Sequence, residues 1–273
     1  MRKDLEERLL RQTHLTSEQL SRAKEEQKKI KKSLFSTLIK LGYLTEEDIY
    51  TFFAQQTQIP LVRLSDYELN PELMSLFSEE FYRENLLVPL FKVDNTLFIA
   101  MANPLKADLI KELKVKTELE VFPLFSLPTA ILKAIDNFFG PEDELYNLEE
   151  YLTHSYSSKS NFIFCRESER LQANLPVEIK VTDSRIRLIS SAPISATVCD
   201  ISQSGKGMGV KTFVFLPPGI ELSVKFFFKN SEYIAKAQVV RCNMLDKGEY
   251  FLGIKFLEVD KDFIKEVINT LSC

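Results

Sequence analysis

From Pro176 the apolar residues of this chain keep a strand spacing in short runs, and that change of pattern dictates two folding units of different class. Ahead of it helical intervals predominate, with a few strand-like runs among them. Beyond it the apolar residues alternate every second residue in short runs broken by turn residues. A helical period and a strand period bury different faces and cannot share one element. With 273 residues the chain has material for two cores.

The helical half begins with a repeat. "LLRQTHLTSEQLSRAKEEQ" (Leu9–Gln27) aligns with "LIKLGYLTEEDIYTFFAQQ" (Leu38–Gln56), so that Leu15 matches Leu44. Each copy carries a threonine placed to cap a helix: Thr16 with Gln19 three residues later, and Thr45 with Asp48. A hydroxyl that accepts from the third helical N–H, answered by a side chain that reaches back, defines a helix start. Each copy therefore reads as helix, turn, helix, and the two together as a small bundle. Next, Asn70-Pro71 opens a short helix. "ENLLVPLFKVDNTLFIAMANP" reads as two strands about the turn Asp94-Asn95, "LKADLIKELKVKT" as a helix, "LEVFPLFS" as a strand and "LPTAILKAIDNFFG" as a closing helix. These make a small α/β subdomain. The expected division is 1–140 for this half, 141–160 for an acidic, then serine-rich linker, and 161–273 for the remainder.

In the last part the candidate strands are Val177–Thr182, Arg185–Ser190, Ser195–Asp200, Val210–Phe215, Leu222–Phe228, Ile234–Arg241 and Tyr250–Phe256, followed by a helix over Lys261–Leu271. The fold class is α+β multidomain, with a small β-barrel or sandwich behind the helical bundle and α/β subdomain.

Several functions are disfavoured. The net charge is −4, and no region has the positive excess of a nucleic-acid binder. No apolar run is long enough to span a membrane, and "MRKDLEERLL" lacks the apolar core of a secretion signal, so a cytoplasmic protein is expected. Cys165, Cys199, Cys242 and Cys273 show no metal-ligand spacing, and His14 and His154 have no partner pattern; neither a metal nor an enzyme site is expected. Gly205-Lys206 does not belong to a phosphate-binding loop, because Asp200 stands where that loop needs its first glycine.

Two short motifs remain. Arg166 and Arg170 stand four residues apart, and Asp200, Ser202 and Gly205 close a predicted strand. An arginine can grip phosphate or the O6 and N7 of guanine through paired bonds. A carboxylate can accept from the guanine Watson–Crick edge, a hydroxyl can donate and accept, and a glycine lets backbone approach a planar ligand. Together they suit a ligand with phosphates and guanines. Taken singly, the arginines also fit surface pairing with Glu167 and Glu169, and Asp200 and Ser202 fit a turn at a strand end.

R-x-x-x-R followed by D-x-S-x-x-G resembles the PilZ domain, a bacterial receptor for cyclic di-GMP. "LPVEI", "LPPGIELSVKF", "AQVVR" and "YFLGIKF" add to the likeness, which covers about residues 161–273. The resemblance implies a six-stranded barrel with a C-terminal helix, cyclic di-GMP as ligand, and Arg166, Arg170, Asp200, Ser202 and Gly205 as its contacts. "GKGMGV" is longer and richer in glycine than is usual after the second motif, and is expected to alter a loop beside the ligand. Residues 1–140 resemble the N-terminal (MshEN-like) domain of type II secretion and type IV pilus assembly ATPases. Some members of that family bind cyclic di-GMP through R-L-G at the head of each repeat. Here the triplets are Asp4-Leu5-Glu6 and Ser33-Leu34-Phe35, so a scaffold that docks a protein partner is implied, not a second nucleotide site. The two resemblances imply a non-enzymatic effector in which ligand reorients the N-terminal half. A PilZ-like adaptor that binds protein and no nucleotide is the alternative.

Overall fold

The computed structural model describes residues 3–30, 32–141, 170–229, 231–245 and 248–272. Helices α1 (Lys3–Gln12), α2 (Ser17–Ile30), α3 (Leu34–Lys40) and α4 (Glu46–Thr57) form the predicted pair of hairpins. Both capping boxes are present. The Thr16 N–H donates to Gln19 Oε1 while the Gln19 N–H donates to Thr16 Oγ1. Thr45 and Asp48 exchange the same two bonds. Leu9, Leu15, Leu20, Leu38, Leu44, Ile49 and Phe53 fill the space between the hairpins.

Short helices α5 (Pro71–Met74) and α6 (Glu79–Asn85) lead to a three-stranded sheet, β1 (Leu87–Val93), β2 (Thr96–Met101) and β3 (Glu120–Phe125). The β1–β2 pair is an antiparallel hairpin, and β2–β3 is parallel, with α7 (Ala107–Thr117) as the crossover. Helix α8 (Pro128–Phe139) closes this part, its first position taken by Pro128. The buried Arg83 guanidinium bonds Glu79, Asp136 and the carbonyl of Gly140, which ties α6 to the end of α8.

Strands β4 (Arg170–Val181), β5 (Ile194–Ser202), β6 (Gly207–Thr212), β7 (Glu221–Phe228), β8 (Ser231–Met244) and β9 (Tyr250–Glu258) close a barrel in the order β4-β5-β6-β9-β8-β7. Helix α9 (Lys261–Ser272) packs against one end, with Phe263, Ile264 and Val267 turned inward.

Two expectations need correction. Arg185–Ser190 is not a strand of the barrel. Its backbone crosses to the N-terminal half: the Glu68 N–H donates to Arg187 O (2.9 Å) and the Ile189 N–H to Asp66 O (3.1 Å). Its alternating residues fit a pairing partner that lies outside the barrel, the isolated bridge Tyr67–Leu188. "GKGMGV" is likewise mostly not a loop: Gly205 and Lys206 end the turn, and Gly207–Val210 lie in β6.

The barrel end opposite α9 is sealed by the N-terminal half. Phe215 lies against Phe91, Phe98 and Tyr250, with centroids 6.5, 6.3 and 5.6 Å apart. The Tyr67 hydroxyl donates to Phe215 O (2.7 Å), and the Tyr250 hydroxyl donates to Leu61 O. At the rim, Arg185 bridges Asp183, Asp94 and the carbonyl of Gly219. One apolar core thus runs from the sheet into the barrel.

Burial holds the Tyr67 phenol well above the ordinary tyrosine pKa and raises that of Tyr250 in the same way. An unfolded chain releases these protons near pH 10 while the folded chain keeps them. The seam's contribution should be complete below pH 10 and fall as pH rises past it. Urea unfolding followed from pH 8 to pH 11 should show that decline, and Tyr67→Phe should flatten it. At pH 8, Tyr67→Phe should lower stability by about 1–3 kcal/mol, because the buried Phe215 carbonyl loses a partner.

Candidate functional site

The α9 end of the barrel gathers the motif residues. Arg170 opens β4, and Asp200 and Ser202 end β5; the register places Arg170 opposite Ser202 and Gln172 opposite Asp200. The Arg170 guanidinium donates to Asp200 Oδ1. The side chains are 24% and 15% exposed, so water screens this pair less than it screens a surface pair. A charged ligand that engages either group meets this ion pair and either displaces it or adds to it. Arg166 lies outside the described residues.

Ser202 and Gly205 build the turn that joins β5 to β6. Ser202 is buried, and its Oγ accepts from the backbone N–H groups of Lys206 (3.0 Å) and Gly207 (3.1 Å). The hydroxyl folds the turn that leads β5 into β6. The Gly205 N–H donates back to Ser202 O at 2.8 Å. Gly205 sits at φ +66°, where a side chain is disfavoured, and a Cβ there would come within 2.7 Å of Ile264 Cγ2. The space beside this glycine is thus taken by α9.

A further set of residues on the barrel's outer face escaped the sequence reading. The register makes Asp200, Gly209, Gly253 and Arg241 consecutive neighbours across β5, β6, β9 and β8. A Cβ on Gly209 would meet the tip of the Phe251 ring at 2.3 Å and Asp200 Oδ1 at 2.7 Å. On Gly253 it would meet the Arg241 side chain at 2.6 Å. The Arg241 guanidinium lies 5.1 Å from the Phe251 ring centroid. The one sequence signal was the glycine content of "GKGMGV" and "YFLGIKF", whose meaning depends on a register no local pattern reveals.

The triplets at the head of each N-terminal repeat are engaged internally. Asp4 pairs with Arg8, and Ser33 caps α3 by accepting from the Ser36 N–H. Among the described residues no group of His, Cys, Asp and Glu could hold a metal ion, and no helix is long and apolar enough to cross a membrane.

Residues 57–145 match the family model of the MshEN domain, and residues 165–272 match that of the PilZ domain. The type IV pilus assembly ATPase PilB of Myxococcus xanthus is 27% identical over 136 residues, covering 50% of this chain and 24% of its own length. PilB of Thermus thermophilus is 32% identical over 124 residues, covering 44% of this chain and 14% of its own. The chain therefore spans about a quarter or less of these relatives. A solved structure of MshE with cdg is 25% identical with a TM-score of 0.44, covering 50% of this chain and all of that one.

Because Gly205 answers to both its backbone angle and Ile264, Gly205→Ala should destabilise the chain by about 1–2 kcal/mol or more. Ile264→Ala introduced alongside it should cost less than the sum of the two changes, since they share one contact. Chemical unfolding of the two single variants and the double variant measures both effects.

Proposed function

We propose that this chain, which carries an MshEN domain followed by a PilZ domain, is a cytoplasmic, non-enzymatic cyclic di-GMP effector. In this reading residues 161–273 bind the nucleotide through Arg166, Arg170, Asp200, Ser202 and Gly205. Residues 1–140 contact a protein partner, and 141–160 join the two. The observation that supports it most directly is the meeting of Arg170 with Asp200, thirty positions apart in sequence, beside the Gly205 turn. A phosphate suits the arginines, and a guanine edge, with N1–H and an exocyclic amine as donors, suits the carboxylate. Ser202 acts by shaping the turn, and Gly205 by admitting α9 to it. The pilus ATPases among the relatives suggest pilus or secretion machinery as the setting.

The shared core alters the transmission step. Swinging the N-terminal half away from the barrel would expose Phe91, Phe98, Phe215 and Tyr67 together. A simpler route keeps the halves docked while ligand exchanges the Arg170–Asp200 pair and presents a changed α9 end to the partner. The adaptor reading keeps one observation in its favour, because that same ion pair satisfies both groups without any nucleotide.

Calorimetric titration of the full chain with cyclic di-GMP distinguishes the readings; no binding would leave the adaptor. Arg166→Ala and Arg170→Ala should each weaken binding at least tenfold, or about 1.4 kcal/mol. Cyclic di-AMP should bind at least tenfold more weakly than cyclic di-GMP, since adenine offers an acceptor at N1 and no amine at C2. Asp200→Ala should narrow that gap. Equal binding of both dinucleotides by the unaltered chain would show that Asp200 does not read the base.

A further inference from the structure

We infer that Arg241 and Phe251 form a stacking platform for a base of the bound nucleotide, built on a two-glycine floor beside Asp200. The inference rests on the cyclic di-GMP reading and adds to it the surface against which the base lies.

A purine needs two things from a protein: polar groups at its edge and a flat, polarisable surface against its face. Arg170 and Asp200 supply only the first. The second is present farther along the same face of the barrel, on β9 and β8. Asp200, Gly209, Gly253 and Arg241 stand in one cross-strand row, and their strand neighbours Met208, Val210, Leu252 and Ile254 point into the barrel. The row therefore faces outward. Both central positions lack a side chain, and the space is used at once. The edge of the Phe251 ring overlies Gly209, and the Arg241 side chain overlies Gly253. Any larger residue at either position would lift these groups off the barrel. The guanidinium, 5.1 Å from the ring centroid, makes a cation–π pair with Phe251. Both side chains are half-buried, which leaves each with an outer surface. The missing Gly209 side chain also brings the ring close to Asp200.

An aromatic ring and a guanidinium plane are the two protein surfaces on which bases stack, and each such contact is typically lost at a penalty of about tenfold in affinity. The platform adjoins Asp200, the carboxylate assigned to the base edge. It should therefore serve the base that Asp200 reads.

The test uses the full chain and cyclic di-GMP. Arg241→Ala and Phe251→Leu should each weaken binding about tenfold. Arg241→Lys keeps the charge but loses the plane, so it should remain weak; wild-type affinity in this variant would overturn stacking by Arg241. The chain contains no tryptophan, so Phe251→Trp introduces a single reporter. Its emission should be quenched on titration, saturating where calorimetry saturates. If the unaltered chain binds and Arg170→Ala does not, while Arg241→Ala and Phe251→Leu stay within twofold of wild type, the platform is overturned and the nucleotide reading stands. If the unaltered chain does not bind cyclic di-GMP, both fall.

Discussion

Two tyrosine hydroxyls and one phenylalanine stand at the centre of the seam between the two halves of this protein. Tyr67 reaches from the helical half to a carbonyl of the barrel, Tyr250 reaches back, and the Phe215 ring lies between them and the sheet. A small barrel has two open ends, and each must be plugged or its apolar interior meets water. Here one end is plugged by α9 of the same unit and the other by Phe91 and Phe98 of the preceding unit. The seam is therefore part of the barrel's own core. Residues that a separate barrel would make polar can here be aromatic, because water does not reach them.

This seal assigns the two ends of the barrel different work. Asp183, Arg185 and Gly219 are committed to the seam, while Arg170, Asp200 and the Gly205 turn lie at the α9 end. Strand β4 joins the ends with twelve residues, about 40 Å of extended chain. A change at the motif end reaches the N-terminal half through a packed barrel, which resists bending. The softer neighbours of the site are the Ser202–Gly205 turn and the helix that touches it. Ile264 against Gly205 is the contact most directly displaced if that turn moves.

Much of this was legible in the sequence wherever a local pattern carries the physics. Thr16, Thr45 and Asn70 announced their helices because a cap is decided within three residues. Five of the six barrel strands were placed within three residues at each end by alternation alone, and β4 was begun seven residues late. The seam was not legible, because Phe91, Phe98 and Phe215 read as ordinary core residues whichever domain supplies their partners. The same limit explains the misplaced strand at Arg185–Ser190, whose pairing is with Tyr67. At the site, the residue types of both motifs were readable but not their division of labour. Nothing local tells that the Ser202 hydroxyl is occupied by two backbone N–H groups, or that α9 fills the space beside Gly205.

The glycines of β6 and β9 show how a feature can be visible and still be misread. A glycine-rich stretch after a motif suggests a loop, because loops are where glycine most often relieves strain. Gly209 and Gly253 instead sit in paired strands, where glycine weakens a sheet by removing a side chain that could pack. Two such losses opposite each other would be difficult to retain unless something occupied the vacated surface. Phe251 and Arg241 do occupy it, from neighbouring positions on the same face. The glycines thus lower a flat aromatic and cationic surface toward the barrel until it stands beside Asp200, an arrangement that concerns what lies on the barrel and not how the barrel folds.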